Sequence, residues 1–288
     1  MLMQSVGLVV NLDKPRAAEI ADTLVQCIHA RGRDAVLDPK AAEAVRRPDL
    51  GLALEAFPGR VDVVFILGGD GTFLGYARRF APFGLPLLGF NLGHLGFLSE
   101  AEPEDLDQAV DRVVRGDYEL EHRMMIEAEV RRGGSTVHHL SALNDITVGK
   151  GALGRMASLR VEVDGQYVDQ YAGDGLIVST PTGSTAYSLS CGGPIVAPQA
   201  EVMLLTPICP HTLSTRPMIV PADRKVRIEA RANHQDLGLS ADGQVSVRLR
   251  VGDEVLVQKS AHCATLIKWR ERQFFDVLRQ KLRGVEAQ

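Results

Sequence analysis

The sequence predicts two domains: an α/β domain with a doubly wound, mostly parallel sheet, then an all-β, sandwich-like domain, with a C-terminal helix that returns to the first. Three observations predict this. Up to about residue 118, short apolar strands alternate with stretches of helical spacing, the pattern of a parallel sheet covered on both faces. Beyond it, apolar residues recur at every second position between glycine-containing turns, as antiparallel strands with one buried face require. The stretch ERQFFDVLRQKLR at 271–283 returns to helical spacing, and such a helix must bury its apolar side on something. The expected domains are 1–120 together with helix 271–288, and 121–270.

In chain order, SVGLVVNL reads as a strand, and residues 15–31 carry apolar positions at helical spacing between Pro15 and Gly32. DAVL is a short strand, AAEAVRR at 41–47 a short helix, and VDVVFIL at 61–67 a strand apolar on both faces. A helix is expected from Thr72 to Phe80, then the strand PLLGF and a helix over 103–115. In the second half, HRMMIEAEVRR, TVHHLSALNDITVGK, SLRVEVDGQYVDQYAGDGLIVST, KVRIEARA, QVSVRLR and DEVLVQKS alternate as strands. Dipeptides such as Asp164-Gly165 and Asp242-Gly243 mark the turns.

At 288 residues, 45% of them hydrophobic and 24% charged, the chain is ordinary globular material with room for two domains at about 150 residues each. A net charge of −4 with no Lys/Arg run argues against a nucleic-acid partner. No stretch approaches the roughly 20 apolar residues of a membrane span. The start lacks a basic region and reads as a first strand rather than a signal peptide. Cys27, Cys191, Cys209 and Cys263 lack CxxC spacing, so they are expected to be reduced core residues of a cytoplasmic protein, with no zinc.

The strand VDVVFIL runs straight into Gly68-Gly69-Asp70-Gly71-Thr72. Glycines there allow close backbone approach, and the amides at the following helix start can bind an anion. The loop is neither GxxxxGK(S/T) nor GxGxxG, since Gly69 and Gly71 are followed by Gly75, one residue too late; a Rossmann oxidoreductase is thereby disfavoured. A plain strand-to-helix turn with Asp70 as N-cap is the bland alternative. Residues 173–196 form a second candidate: the strand GLIVST, a Pro-Thr-Gly-Ser-Thr turn, and a helix from Ser184. Hydroxyls at Thr180, Thr182, Ser184, Thr185, Ser188 and Ser190 crowd this segment, and Tyr187 offers a flat face for a ring. A capped, hydroxyl-rich turn packed tightly is its bland reading. Asp174 lies between two glycines, and Asn144-Asp145 set an amide and a carboxylate at the start of an apolar alternation.

In this order, GGDGT, Asn144-Asp145 and GDGLIVSTPTGSTAYSLSCGGPIV, with FNLGHLGFL at 90–98 and CPHTLSTRPMIV at 209–220, closely resemble the NAD kinase family. GGDGT alone is shared with lipid kinases; the long second motif is specific. The resemblance implies the two-domain fold above and ATP-dependent phosphorylation of the 2′-hydroxyl of the adenosine ribose of NAD+, giving NADP+. It implies a divalent metal, usually Mg²⁺, and a homodimer or homotetramer. No all-protein metal cage is visible, so the metal is expected to arrive with ATP.

Carried onto this chain, Asp70 matches the general base and lies with Gly71 at the ribose, while Gly68, Gly69 and Thr72 complete the phosphate loop. Asn144 and Asp145 match a short NAD-binding motif that is often Asn-Glu, so the carboxylate here is one methylene shorter. Asp174 matches a further carboxylate at the NAD site. Thr185, Ala186, Tyr187, Ser188, Leu189 and Ser190 match the segment lining the dinucleotide. Phe97 is placed near the adenine, and Arg155, Ala172 and Gln244 occupy further ligand-contact positions. Position 172 can be basic in the family; alanine departs from that and leaves the choice between NAD and NADH open. Two other classes share parts of this pattern. A lipid kinase would keep GGDGT and lack TPTGSTAYSLS; a non-catalytic NAD-binding sensor would be free to lose Asp70.

Overall fold

A computed structural model describes residues 3–93, 96–151, 156–212, 214–231 and 237–286. In chain order the first elements are β1 (Ser5–Val10), α1 (Ala17–Ala30), β2 (Asp34–Leu37), α2 (Pro39–Ala44), β3 (Val63–Gly68), α3 (Asp70–Phe80), β4 (Leu87–Asn91) and α4 (Leu106–Arg115). Then come β5 (Glu119–Arg132), β6 (Ser135–Ala142), β7 (Asp145–Lys150), β8 (Ala157–Val163), β9 (Gln166–Gly173), β10 (Gly175–Ser179) and α5 (Tyr187–Ser190). The last are β11 (Val202–Ile208), β12 (Met218–Pro221), β13 (Val226–Ala230), β14 (Leu237–Ala241), β15 (Val245–Leu249), β16 (Glu254–Lys268) and α6 (Phe274–Glu286). The chain divides into two compact units, Met1–His122 with Ala264–Gln288, and Arg123–Cys263.

The first unit is the α/β domain. Its strands run parallel in the order β2-β1-β3-β4, and the end of β16 adds beside β4 through Leu266 opposite Leu87. All six residues of β3 are buried, because both faces of a parallel sheet are covered. One face carries Val63, Phe65, Leu67, Leu88 and Phe90 into a core shared with Leu24 and Ile28 of α1 and Val110 of α4. The alternate position in β4, Gly89, lies under Phe73 of α3, so α3 covers the other face. The terminal helix belongs to this unit, as the sequence leads one to expect.

Helix boundaries shift where caps outrank periodicity. α2 starts at Pro39 rather than at residue 41, because the Asp38 carboxylate accepts the amides of Lys40 and Ala41, both at 3.1 Å, with proline in the first turn. α3 begins at Asp70, not Thr72, with Gly69 as its cap residue. Asp70 is therefore inside the helix and is not its N-cap.

The second unit is antiparallel. One sheet has the order β12-β11-β10-β7-β14-β15, and β16-β13-β8-β9 and the β5-β6 hairpin supply the other strands. Side chains from both sets, such as Ile126, Val161 and Ile228 against Ile146, Leu176 and Leu205, fill one core, which makes this a sandwich. The helix expected from Ser184 is shorter and broken: a 3-10 turn over Thr182–Thr185 and one α turn in α5. Local back-bonding explains it. The hydroxyls of Ser184 and Thr185 donate to the carbonyls of Pro181 and Thr182, three residues back, offering the chain an alternative to the helical ladder.

Candidate active site

The first cluster lies at the carboxyl end of β3, where open α/β sheets bind ligands. β3 ends at Gly68 and α3 begins at Asp70, which sets the positive end of the helix dipole at this loop. Gly71 is exposed and Asp70 partly so. The Asp70 carboxylate is held from across the loop: Oδ2 accepts the Phe97 amide at 2.9 Å and Oδ1 the Leu98 amide at 3.2 Å. Gly96 permits this. A Cβ at that position would stand 2.1 Å from Asp70 Oδ1. Gly96→Ala is accordingly expected to push the carboxylate out of place and cut turnover by about 10²-fold, the usual effect of about 1 Å of misplacement, without unfolding the chain; initial rates and a circular dichroism melt check both halves. On the far side of the loop, Asn11 Nδ2 donates to Thr72 Oγ1 at 3.1 Å. Phe97 is half-buried, and the ammonium of Lys281 on α6 lies 5.1 Å from its ring centre, within cation–π range.

The second cluster belongs to the second unit. Asn144 and Asp145 enter β7, and a cavity of about 250 Å³ brings them together with Thr147, Ala186, Tyr187 and Asp242. Spacing along the chain gave no hint of Asp242 as part of this group; it reads only as a turn residue. Its carboxylate accepts three successive amides, from Leu143 (3.1 Å), Asn144 (2.7 Å) and Asp145 (3.1 Å). Asp242 itself sits at φ 50 in the Asp-Gly turn, which is how its side chain turns back onto β7. The Asn144 carbonyl is equally enclosed: it accepts the Thr180 amide at 2.8 Å, and a Cβ on Gly183 would stand 2.2 Å from it.

Asp145 is buried, 5% exposed. Burial first, and the neighbouring Asp242 carboxylate second, push its pKa from 3.8 to about 6, against a lowering hydrogen bond from Thr147 at 3.1 Å. A carboxyl whose pKa is raised by folding stabilises the fold when protonated. That contribution is complete below about pH 4 and is lost as pH rises through about 6. Relative to Asp145→Asn, the ligand-free wild type is expected to lose about 3 kcal/mol of stability between about pH 4 and pH 7, read by urea unfolding at each pH.

The remaining expected residues fall as follows. Ala186 and Tyr187 line the same cavity as Asn144 and Asp145, with Tyr187 47% exposed. Asp174 pairs with Lys150 at 2.8 Å, a cation the spacing did not single out. Thr185 and Leu189 are half-buried, and Ser190 and Gln244 are exposed. Ala172 sits on β9 opposite Ser158, and its carbonyl accepts the His211 amide. Arg155 lies outside the described residues. The hydroxyl-rich segment corrects one expectation. Thr180, Ser184 and Ser188 are fully buried, and their hydroxyls are spent inside the fold on the Leu143 carbonyl, the Pro181 carbonyl and Thr206. They do not offer a ligand free hydroxyls. Arg123, 5% exposed, donates to Thr182 Oγ1 at 3.3 Å behind this turn. Among the described residues no group of three or more His, Cys, Asp or Glu could hold a metal ion, and no helix is long and apolar enough to cross a membrane.

Comparison with known proteins identifies the family. A model of the ATP-NAD kinase N-terminal domain matches residues 6–118, and one of the ATP-NAD kinase C-terminal domain matches residues 143–269. The chain is 45% identical to the NAD kinase of Moorella thermoacetica, over 98% of this chain and 90% of that one. It is 46% identical to that of Symbiobacterium thermophilum, over 98% and 100%. Among solved structures, yeast NADH kinase complexed with NADH superposes with a TM-score of 0.87 at 28% identity, covering 97% of this chain and 87% of that one. The Archaeoglobus fulgidus NAD kinase in complex with ATP gives 0.77 at 26% identity, covering 98% and 99%. Both matched domains carry one of the two clusters, the amide-clamped Asp70 in the first and the Asn144-Asp145 cavity in the second, and with them the chain belongs to the NAD kinase family.

Proposed function

We propose that this chain transfers the γ-phosphoryl group of ATP to the 2′-hydroxyl of the adenosine ribose of NAD+, forming NADP+ and ADP. The observation that carries the reading at the level of chemistry is Asp70: a carboxylate fixed by two backbone amides at a helix start. Phosphoryl transfer passes through a loose, in-line transition state, so catalysis rests on aiming the acceptor and neutralising charge. Asp70 accepts a hydrogen bond from the 2′-hydroxyl, aims its oxygen at the γ-phosphorus and takes its proton. Aspartate is a weak base toward an alcohol, so the proton leaves late in the transfer. The amides of Gly69, Gly71 and Thr72 offset the phosphate charge, and the ADP oxygen departs opposite the incoming hydroxyl.

Asn144 and Asp145 bind NAD+ by the amide and carboxylate at the β7 entrance, with Tyr187 supplying a ring face and Asp174 a second carboxylate. Thr185, Ala186, Leu189 and Ser190 line the dinucleotide, Ser188 contributing through its backbone alone. Phe97, Ala172 and Gln244 make outlying contacts. Magnesium would enter as the Mg–ATP substrate complex, since the phosphates themselves supply oxygen ligands. Functionally, 1–120 with 271–288 would handle the donor and 121–270 would bind NAD+. The chain would work as a homodimer or homotetramer in the cytoplasm, a compartment that suits four free cysteines.

The test is direct: purified protein, NAD+, ATP and Mg²⁺, with NADP+ detected by a dehydrogenase specific for it. Absence of NADP+ with every phosphoryl donor would leave a non-catalytic NAD-binding protein.

A further inference from the structure

Ser99, in the first unit, is 5% exposed, and among the described residues its Oγ has no hydrogen-bond partner. A buried polar group left unpaired costs stability, so native chains seldom keep one without a use for it. This one stands beside the Asp70 carboxylate. The spot that a Gly96 Cβ would occupy is 2.1 Å from Asp70 Oδ1 and 2.8 Å from Ser99 Oγ. Both oxygens therefore border the one small space that glycine leaves open.

The backbone around Ser99 is fixed. Residues 99–101 run beside β4: the Glu100 amide donates to the Gly89 carbonyl at 3.0 Å, and the Asn91 amide to the Ala101 carbonyl at 2.9 Å. A Cβ on Gly89 would stand 2.9 Å from Ser99 Cα, so strand and segment pack at backbone distance. The next side chain, Glu100, is 3% exposed; it pairs with the Lys268 ammonium and accepts the Trp269 amide at 3.1 Å. With its backbone held on both sides, Ser99 moves its Oγ by turning about the Cα–Cβ bond.

Asp70 has room for a third donor. Each oxygen of an ionised carboxylate accepts about two hydrogen bonds. Oδ2 takes the Phe97 amide at 2.9 Å, and Oδ1 is held less closely, by the Leu98 amide at 3.2 Å. Those amides are locked in the backbone, whereas a hydroxyl turns to follow the carboxylate that it holds.

We propose that Ser99 is a positioning residue for Asp70: its hydroxyl turns to donate to Oδ1 while the acceptor alcohol is bound, and so fixes the plane of the carboxylate. The inference rests on the kinase reading for the reaction and adds the group that keeps the base in line. The proton of the 2′-hydroxyl goes to Asp70, and Ser99 keeps its own throughout. Ser99 acts through Asp70 and not on a substrate.

The test compares full-length wild type, Ser99→Ala, Asp70→Asn and the double variant in NADP+ formation, with thermal melts of each ligand-free chain. Ser99→Ala is expected to lower kcat about tenfold, the weight of one hydrogen bond to a charged group, with KM for NAD+ and for ATP within about twofold of wild type. Its melting midpoint should equal or exceed that of the wild type, because the variant buries one unpaired hydroxyl fewer. In the Asp70→Asn background the same change should alter kcat by less than about twofold, since an amide takes no proton and its placement no longer matters to the rate. Three results overturn the inference: a wild-type kcat in Ser99→Ala, a loss of kcat matched by a fall in the melting midpoint, or a loss of about tenfold repeated on top of Asp70→Asn. In each of them NADP+ formation by the wild type keeps the kinase reading standing. No NADP+ from the wild type with any donor removes the kinase reading and this inference with it.

Discussion

Asp70→Asn should lower kcat for NADP+ formation by about 10² to 10⁴-fold, the range of a general acid–base group, while the dissociation constant for NAD+ changes little. The substitution keeps shape and removes charge and basicity. It also alters the clamp: the asparagine oxygen still accepts one of the amides of Phe97 and Leu98, which are bound at 2.9 and 3.2 Å in the wild type, and its own N–H group then meets the other, donor to donor. A local shift of the 96–98 loop is part of the expected effect, so the measurement pairs initial rates with NAD+ calorimetry. Turnover near the wild-type rate would mean that the hydroxyl gives its proton to something other than Asp70. Loss of NAD+ binding in parallel with kcat would make Asp70 a binding residue first and a base second. Gly96→Ala approaches the same carboxylate from its other side and keeps its charge; rate losses in both variants with NAD+ binding retained would point to placement together with basicity.

The largest effect on the fold is expected from Asp242→Ala. Three consecutive amides lose their acceptor at once. An amide left without a partner in the interior costs about 1–3 kcal/mol, and water recovers part of that at a half-buried site, so the net loss is about 2–4 kcal/mol by urea unfolding at neutral pH. Asp242→Asn retains one acceptor oxygen and should fall between wild type and alanine. Because the amides belong to Leu143, Asn144 and Asp145, the damage extends to the cavity: KM for NAD+ should rise by about tenfold or more with a smaller change in kcat, the mark of lost ground-state positioning. A stability within about 0.5 kcal/mol of wild type, the scatter of neutral surface changes, would show that these amides do not depend on Asp242.

Much of the candidate site was legible in the order of residues. An apolar strand feeding Gly-Gly-Asp-Gly-Thr marks a candidate ligand-binding loop because strand, turn and helix start are neighbours in sequence, and the physics that places Asp70 at the helix start is local. Asn144-Asp145 stood out because a polar pair breaks an alternation whose other inward positions, Ile146 and Val148, are fully buried. The hydroxyl cluster was less informative. Serine and threonine look the same on paper whether they face a ligand or bond backward to a carbonyl, and only packing separated buried Thr180, Ser184 and Ser188 from exposed Ser190. Helix starts at Pro39 and Asp70 were missed by two residues because caps, not periodicity, set them.

The order of residues thus settles the element types and the two-part layout, since these follow from short-range periodicity. It leaves open how Asp70 and the Asn144-Asp145 pair are held. Asp70 is clamped by amides 27 and 28 residues away, and the Asn144-Asp145 backbone by a carboxylate 97 to 99 residues away. Contacts at that separation exist only after the sheets have paired and brought the turns together, and nothing in local spacing encodes which turn will meet which strand.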